Sequence, residues 1–288
     1  MIDTLVTYLP FYRIHEIKDY FLLNKENLKT VKSIVYVDNV YHRSQAEILK
    51  ELFNNEVEIR PVNWNDRNLT LLQILEDTKK EKWDCLVIDS DNILGKDFQK
   101  IDELMIEAGF DYYNVDHIKG GFYAPIMNSR RPIKRIRKLV TINRHDISLS
   151  VYSYKITGVW RGILFIGPKQ AVRLSKKIME ELDWGVVEDT RKALLKVEPF
   201  LRGHIADEWT LGVVYYYSGL KEIPWIAYSE HHHDESSPKS STCLKKIIKS
   251  TAMSQFAKGF KATKYKRMTW VYLRYKLSQF ANILAGIL

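Results

Sequence analysis

The stretch CLVIDSDNIL at residues 85–94 decides the fold. It opens with an unbroken apolar run, and two aspartates separated by one serine follow that run directly. An apolar run of this length predicts a strand that is buried on both faces, as in a parallel sheet covered by helices. Comparable runs predict further strands at residues 4–10, 33–38, 57–62 and 112–117.

Helical patterns separate these strands, at residues 42–54, 69–80 and 98–109. The alternation of strand and helix predicts an α/β fold with a Rossmann-like, mostly parallel sheet and helices on both faces. Residues 128–161 break this rhythm with a basic run and a stretch rich in Ser and Tyr. Beyond them we expect a strand at 162–167, a helix at 168–183, a helix at 207–219 that ends at a glycine, and a last strand at 223–228.

The composition is that of a globular protein, with 45% hydrophobic and 27% charged residues in a chain of 288. Two cysteines cannot form a disulfide framework, which favours a reducing compartment. No segment reaches the roughly 18 apolar residues of a spanning helix. The N-terminus does not resemble a signal peptide, because Asp3 stands where positive charge is expected and Pro10 interrupts the apolar run. We therefore expect a cytoplasmic protein, peripheral on the cytoplasmic face of a membrane.

The charge is distributed unevenly. Residues 236–288 contain 11 lysines and arginines and no acidic residue, whereas residues 1–235 carry 33 basic and 35 acidic side chains. This argues against a nucleic-acid-binding core and predicts an anionic partner for the C-terminal segment. The expected domains are a catalytic domain at 1–235, with a nucleotide-binding half at 1–120 and an acceptor half at 121–235, and a basic amphipathic helical tail at 236–288.

In open α/β sheets the ligand lies beyond the carboxyl ends of the strands. Glycine-rich phosphate motifs of the dinucleotide-binding and P-loop types are absent from the sequence, which disfavours a dehydrogenase or a P-loop NTPase. The side chains that we expect at the carboxyl ends are Thr7, Tyr8 and Pro10 after the first strand, Asp38 after the second, and Asp89, Ser90 and Asp91 after the fourth.

Asp89 and Asp91 stand two residues apart in extended backbone, so their carboxylates point the same way and can converge on one hard cation. Such a cation would bridge diphosphate oxygens and offset the charge of a leaving nucleotide. The alternative is an ordinary turn at a strand end, where Asp and Ser are common.

With these residues the chain resembles the GT-A nucleotide-sugar glycosyltransferases, over residues 1 to about 235. The matching segments are TYLP (7–10), Asp38, DSD (89–91), GVWRGILFIGPKQAVR (158–173), HIADEWTLGVVYYYSG (204–219) and HHHDE (231–235). The resemblance implies transfer of a sugar, of hexosyltransferase type, from a nucleoside-diphosphate sugar to an acceptor hydroxyl on a glycan or a lipid-linked acceptor, with Mn²⁺ or Mg²⁺. It implies donor contacts from Thr7, Tyr8, Pro10, Asp38, Asp89, Ser90 and Gly162, and metal ligands among Asp89, Asp91, His232 and His233.

Asp207 and Glu208 open a predicted helix and correspond to the acidic pair of that family. A general base within reach of the acceptor hydroxyl is one role for Glu208. The other is favourable placement of acidic residues at the positive end of a helix dipole. Whether the reaction inverts or retains the sugar configuration stays open, because the order Asp-Glu differs from the usual Glu-Asp of inverting members.

Two basic segments remain. The run at 130–138 has three interpretations: a solvated loop, a nucleic-acid contact, or a loop that binds an acceptor phosphate through Arg131, Arg135 and Arg137. The second is disfavoured because the run lacks the interleaved aromatic residues of a strand-binding groove. The C-terminal segment combines cations with an apolar stripe and predicts an interfacial membrane anchor, with a helix packed on the body or on a second subunit as the alternative. Its expected membrane contacts are Lys261, Lys264, Arg267, Trp270, Leu273 and Leu277.

Two other functions are compatible with these patterns. A nucleotidyltransferase also uses paired carboxylates and a divalent metal on an α/β sheet, but it would normally have a glycine-rich loop after the first strand, and residues 9–16 contain no glycine. A membrane-binding adaptor without catalytic activity would use its acidic residues only as helix caps.

Overall fold

The computed structural model describes most of the chain. The described residues are 1–9, 29–38, 57–62, 66–90, 92–117, 136–144, 146–155, 171–220, 222–231, 243–260 and 264–287, together with 24, 26, 27, 47 and 51. Chain contacts divide them between two compact units. The first unit comprises Met1–Lys155, Gly167–Glu181 and Glu222–His233; the second comprises Ile156–Ile166, Leu182–Lys221 and Asp234–Leu288.

Four parallel strands form one half of the sheet in the first unit. Their order is β3-β2-β1-β4, so the chain moves outward from β1 to β3 and then returns to the other side of β1. Their unbroken apolar runs follow from burial beneath helices on both faces. The strands are β1 (Thr4–Leu9), β2 (Lys32–Asp38), β3 (Val57–Val62) and β4 (Cys85–Asp89).

The sheet continues from β4 in the order β9-β6-β10-β8-β7, with β5 paired to β10. Among the ten strands that the structure describes, only β5, β8 and β9 run against the other seven, which confirms a mostly parallel mixed sheet. These strands are β5 (Asn92–Leu94), β6 (Tyr113–His117), β7 (Ile136–Arg144), β8 (Ile147–Lys155), β9 (Ala171–Leu174) and β10 (Glu222–His231).

Helices pack on both faces of this sheet. Val35 and Val37 lie in one core cluster with apolar residues of α2, whereas Tyr36, which points the other way, donates a hydrogen bond to Asp77 of α1 at 2.5 Å. Asp66 begins α1 by accepting hydrogen bonds from two main-chain amides of its first turn. The helices of the first unit that lie wholly within the described residues are α1 (Arg67–Glu81), α2 (Phe98–Glu107) and α3 (Lys176–Glu181).

Two sequence predictions about this unit are wrong. Residues 171–174 form strand β9 and not the start of a helix, because they pair antiparallel with both β4 and β6 and all four side chains are buried. Residues 136–155, where no regular element was predicted, form the β7–β8 hairpin, which turns at Asp146 with a positive φ.

The second unit consists of helices in the part that the structure describes. Gly219, with φ of +93°, ends α6 as its sequence predicts. In the described residues there is no helix with both the length and the apolar character needed to span a bilayer. The helices are α4 (Trp184–Leu195), α5 (Pro199–Arg202), α6 (Asp207–Tyr217), α7 (Cys243–Gly259) and α8 (Lys266–Ile287).

The last two helices are built into this unit. Their inner residues Phe256, Tyr265, Met268 and Val271 are buried, and the Tyr265 hydroxyl donates a hydrogen bond to Asp189 of α4 at 2.6 Å. The predicted domain boundary at residue 235 stays a prediction, but the helices that follow it share a compact unit with residues 182–221.

Candidate functional site

The strand order creates a switch point between β1 and β4. From β1 the chain proceeds to β2 on one side, and from β3 it returns to β4 on the other, so the connections leave the two neighbouring strands in opposite directions. Tyr8 and Asp89 are paired across these strands near their carboxyl ends. A crevice outside the carboxyl ends at such a point is where open α/β sheets bind ligands.

Thr7 joins the two strands at this point. Its side chain is buried, and its hydroxyl donates a hydrogen bond to the carbonyl oxygen of Ile88 at 2.9 Å. The hydroxyl proton is therefore engaged within the sheet. This bond fixes the carboxyl end of β1 against β4, one residue before Asp89.

Asp89 is half-buried and forms an ion pair with Arg67, the first residue of α1. Asp66 occupies amides of the first turn of the same helix, at 2.9 Å from the Asn68 nitrogen and 3.2 Å from the Leu69 nitrogen. Because those amides are engaged, a phosphate at this edge must be neutralised by side chains or a cation.

The residues after the D-x-D are held by two asparagines. Asn24 donates to the carbonyl oxygen of Asn92 at 3.0 Å and accepts from the amide of Leu94 at 2.9 Å. Asn27 donates to the carbonyl oxygen of Leu94 at 3.1 Å. These bonds fix β5, which begins one residue after Asp91.

Strand β5 brings the end of β10 to this place. The two strands pair antiparallel, and His231 stands directly opposite Asn92. The residue that follows Asp91 is thus paired with the residue that precedes His232 and His233. The register thus pairs the end of β10 with the start of β5, three residues after Asp89.

Asp207 and Glu208 belong to the second unit, where they are the first two residues of α6. Asp207 is buried. The N-cap position is taken by Ala206, so α6 begins without a hydrogen bond from a capping side chain. Both residues stand in the first turn of α6, where the helix dipole favours acidic side chains.

Arg137 lies at the start of β7 and is 67% exposed. It donates a hydrogen bond to Glu222, the first residue of β10, at 3.0 Å. Because β10 runs parallel to β6 and both point the same way as β4, this is the amino-terminal edge of the sheet. Arg137 therefore stands at the edge opposite to that of Asp89 and Ser90.

Several predicted site residues lie outside the described part of the chain. Among the described residues no three His, Cys, Asp or Glu side chains come together as a metal site, so the predicted metal ligands stay a prediction. The predicted site residues that the structure does not describe are Pro10, Asp91, Gly162, Arg131, Arg135, His232, His233 and Lys261. For three others the backbone is described but the side chain is not: Asp38, Glu208 and Arg267.

Sequence analysis missed Arg67, the asparagines Asn24 and Asn27, and Asp116, a buried carboxylate near the carboxyl end of β6. A signal for Arg67 was available, since the helix after a parallel strand begins at the ligand-binding edge. The asparagines carry no such signal, because their partners are main-chain groups about 70 positions away in sequence.

No protein-family model matches the sequence, and no curated protein matches it either. Among solved structures, residues 1–349 of Staphylococcus aureus TarS align with a TM-score of 0.45 and 9% identity, over 99% of this chain and 92% of that one. TarS in complex with UDP-GlcNAc aligns with a TM-score of 0.45 and 13% identity, over 96% of this chain and 72% of that one. TarS in complex with UDP aligns with a TM-score of 0.44 and 10% identity, over 99% of this chain and 92% of that one. At these values the α/β assignment rests on the strand order and register described above.

Proposed function

We propose that this chain is a metal-dependent glycosyltransferase that moves a sugar from a nucleoside-diphosphate sugar to an acceptor hydroxyl. The observation that carries the proposal is the pairing of His231 with Asn92 at the carboxyl end of β4. Asn92 directly follows the D-x-D in the sequence and His231 directly precedes His232 and His233, so this pairing supports a site built from the two motifs.

The donor set fits a divalent cation. Carboxylates of Asp89 and Asp91 are hard oxygen ligands that suit Mn²⁺ or Mg²⁺, and neutral imidazole of His232 or His233 suits Mn²⁺. Arg67 pairs with Asp89 and would help to orient its carboxylate toward a bound cation. When bound, the cation would neutralise the diphosphate of the donor and of the departing nucleotide.

We assign the remaining donor contacts to the residues that the sequence predicts. Tyr8 at the end of β1 and Asp38 at the end of β2 would hold the nucleoside, with Pro10 beside them. The buried Ser90 would support the diphosphate, and Gly162 would line the sugar. Thr7 would act through the strand that it fixes, because its hydroxyl proton is already bonded to Ile88.

In the reaction, the acceptor oxygen attacks the anomeric carbon, the bond from that carbon to the diphosphate oxygen breaks, and the nucleoside diphosphate leaves with the electron pair. We assign removal of the acceptor proton to Glu208, with Asp207 beside it. A carboxylate within reach of the acceptor hydroxyl can act as its general base. Of the three arginines predicted to grip an acceptor phosphate, we retain Arg131 and Arg135, because Arg137 lies at the opposite edge of the sheet.

The test is release of nucleoside diphosphate by the full-length protein from a panel of nucleotide sugars, with UDP-GlcNAc included, in the presence of Mn²⁺ or a chelator. Asp91→Asn is expected to lower the rate by at least about 100-fold. The matched control is Asp111→Asn, which removes a carboxylate paired with Lys177 at the amino-terminal edge and should keep the rate within about twofold.

Other outcomes identify the alternatives. Pyrophosphate release from a nucleoside triphosphate and a sugar phosphate, without turnover of any nucleotide sugar, would indicate a nucleotidyltransferase. Absence of both reactions would favour the adaptor. Glu208→Gln separates the roles of the acidic pair: a catalytic base predicts a loss of about 10²–10⁴-fold in kcat with nearly unchanged donor affinity, whereas a purely structural acid predicts a normal kcat.

A further inference from the structure

The helices α7 and α8 of the second unit form an antiparallel pair with a buried inner side. The Cys243 thiol near the start of α7 donates a hydrogen bond to the carbonyl oxygen of Asn282 near the end of α8, at 2.9 Å. Met268 and Val271 of α8 are buried. The side of α8 that faces the unit is therefore already occupied by protein.

The opposite side of α8 is apolar and exposed. Trp270 is 69%, Leu277 70% and Phe280 63% exposed, and the spacing of three or four residues places the set on one stripe. At 1.5 Å per residue the stripe is about 20 Å long. We call it the outer stripe; it consists of Trp270, Leu273, Leu277, Phe280 and Leu284.

The charge around the outer stripe has one sign. Neither α7 nor α8 contains an acidic residue. Lys276 is exposed beside the stripe, and Lys245, Lys246 and Lys249 are exposed on α7. Leu244, next to the first of these lysines, is also exposed. The helix pair thus exposes both apolar side chains and cations to solvent.

We propose that this surface binds an anionic lipid bilayer, with α8 lying in the plane of the interface and the outer stripe inserted among the acyl chains. A helix of this kind buries an apolar face at the headgroup boundary and directs its cations to the anionic headgroups. The exposed apolar side chains would then contact acyl chains, and the lysines would contact anionic headgroups. The binding is independent of the glycosyl transfer proposed above.

Charge complementarity distinguishes this occupant from a second copy of the chain. Residues at three- and four-residue spacing also suit helix–helix packing, but paired helices normally set acidic against basic residues at the edges of the apolar seam. Two copies of this surface would bring only cations together, since neither helix contains an acid. Like charges at such a seam oppose association.

The experiment is co-sedimentation of the full-length protein with vesicles of phosphatidylcholine alone or mixed with phosphatidylglycerol, at low and high salt. We expect binding to the anionic vesicles that weakens with salt and persists in part, because screening acts on the electrostatic contribution alone. The double variant Leu277→Glu with Phe280→Glu is expected to lower the partition coefficient at least about tenfold. Phe200→Glu, at a 74% exposed position of α5, is the matched control and should bind as the wild type does.

Circular dichroism and thermal melting check that the variants stay folded, and light scattering reports the oligomeric state. A second variant, Lys245→Gln with Lys246→Gln and Lys276→Gln, changes exposed residues only and should remove most of the salt-sensitive binding. The proposal is overturned if wild-type protein ignores anionic vesicles at low salt, or if Phe200→Glu weakens binding as much as the stripe variant. It is also overturned if the stripe variant converts a dimer to a monomer while vesicle binding is unchanged.

Discussion

The two edges of the first unit's sheet place the same residue types in different surroundings. At the amino-terminal edge Arg173 and Asp102 are fully buried and bond to each other at 3.0 Å, with Tyr113 donating to the same carboxylate at 2.9 Å. At the carboxyl-terminal edge Arg67 and Asp89 also pair, but both are partly open to solvent. The first set is enclosed by protein, and the second lies at the carboxyl-terminal edge, where we propose that the ligand binds.

The role of an ion pair therefore depends more on its exposure and position than on its residue types. A buried pair is bound to the fold, because removing one partner leaves a charge without solvation. A half-exposed pair at a switch point can exchange its partner for a ligand at small cost. Removing partners at each edge tests this distinction.

The largest effect is expected for Arg173→Met. The change leaves Asp102 buried at 0% exposure without its cation, and we expect the free energy of unfolding to fall by about 3–5 kcal/mol. Urea unfolding followed by circular dichroism measures this. Arg137→Met, which breaks an exposed pair at the same edge, should cost less than about 1 kcal/mol. Equal losses from the two variants would contradict the assignment of the buried set to stability.

Asp89→Asn is expected to have the opposite profile. Its activity in the nucleotide-sugar assay should fall at least about 100-fold, since the variant removes a charge from the proposed metal and diphosphate site. Its free energy of unfolding should change by less than about 1 kcal/mol, because the pair with Arg67 is partly exposed. A large loss of stability with normal activity would place Asp89 with the structural pairs.

Arg67→Gln should have a smaller effect, of about tenfold on kcat/KM, because it removes the partner of Asp89 and leaves the carboxylate in place. A positioning role predicts that Arg67→Lys recovers part of the loss and that the apparent affinity for Mn²⁺ falls in Arg67→Gln. Unchanged metal affinity in that variant would argue against this role.

The smallest effect concerns acid stability at the amino-terminal edge. Burial opposes ionisation of Asp84, but the charge and hydrogen bonds of Arg173 and Lys176 hold the pKa of Asp84 below its ordinary value. A lowered folded-state pKa contributes stability above the unfolded pKa of about 3.9 and loses it as pH falls through the folded pKa. On acidification below about pH 4, the free energy of unfolding of Asp84→Asn should therefore fall less than that of the wild type. The difference between the two losses should be under about 1 kcal/mol. Parallel curves of unfolding free energy against pH would refute this.

The sequence predicted the parallel half of the sheet closely, because the apolar character of β1, β2 and β4 shows directly in composition. Strand β3 lies at the edge of the sheet and is only partly buried. It failed at β9 for a physical reason. Arg173 in the middle of that strand is 1% exposed, and its partners Asp102 and Asp84 come from distant segments, so no local pattern announces a buried arginine.

The hairpin β7–β8 was missed for a different reason. Its first strand begins in the basic run, and its alternation of apolar and polar residues is short enough to resemble a loop. The C-terminal helices were predicted from their outer stripe, whereas the buried inner side of Phe256 and Val271 depends on a neighbouring surface that periodicity does not reveal.

The site followed the same division. The D-x-D and the histidine segment were visible as motifs, since each is contiguous in sequence. The pairing of Asn92 with His231 depends on the register between β5 and β10, which is a long-range property of the sheet. Arg67 and the two asparagines enter only through contacts that bridge separate segments.

The pairing of Asn92 with His231 also bears on the order in which the protein assembles. Contacts between residues so distant in the chain form late, because closing a long loop costs entropy before the contact is gained. During synthesis the D-x-D emerges long before β10, and a chain that ends before Glu222 lacks the strand against which β5 pairs. Completion of the site is thereby coupled to docking of the last strand, so ligand binding would report that the whole sheet has formed.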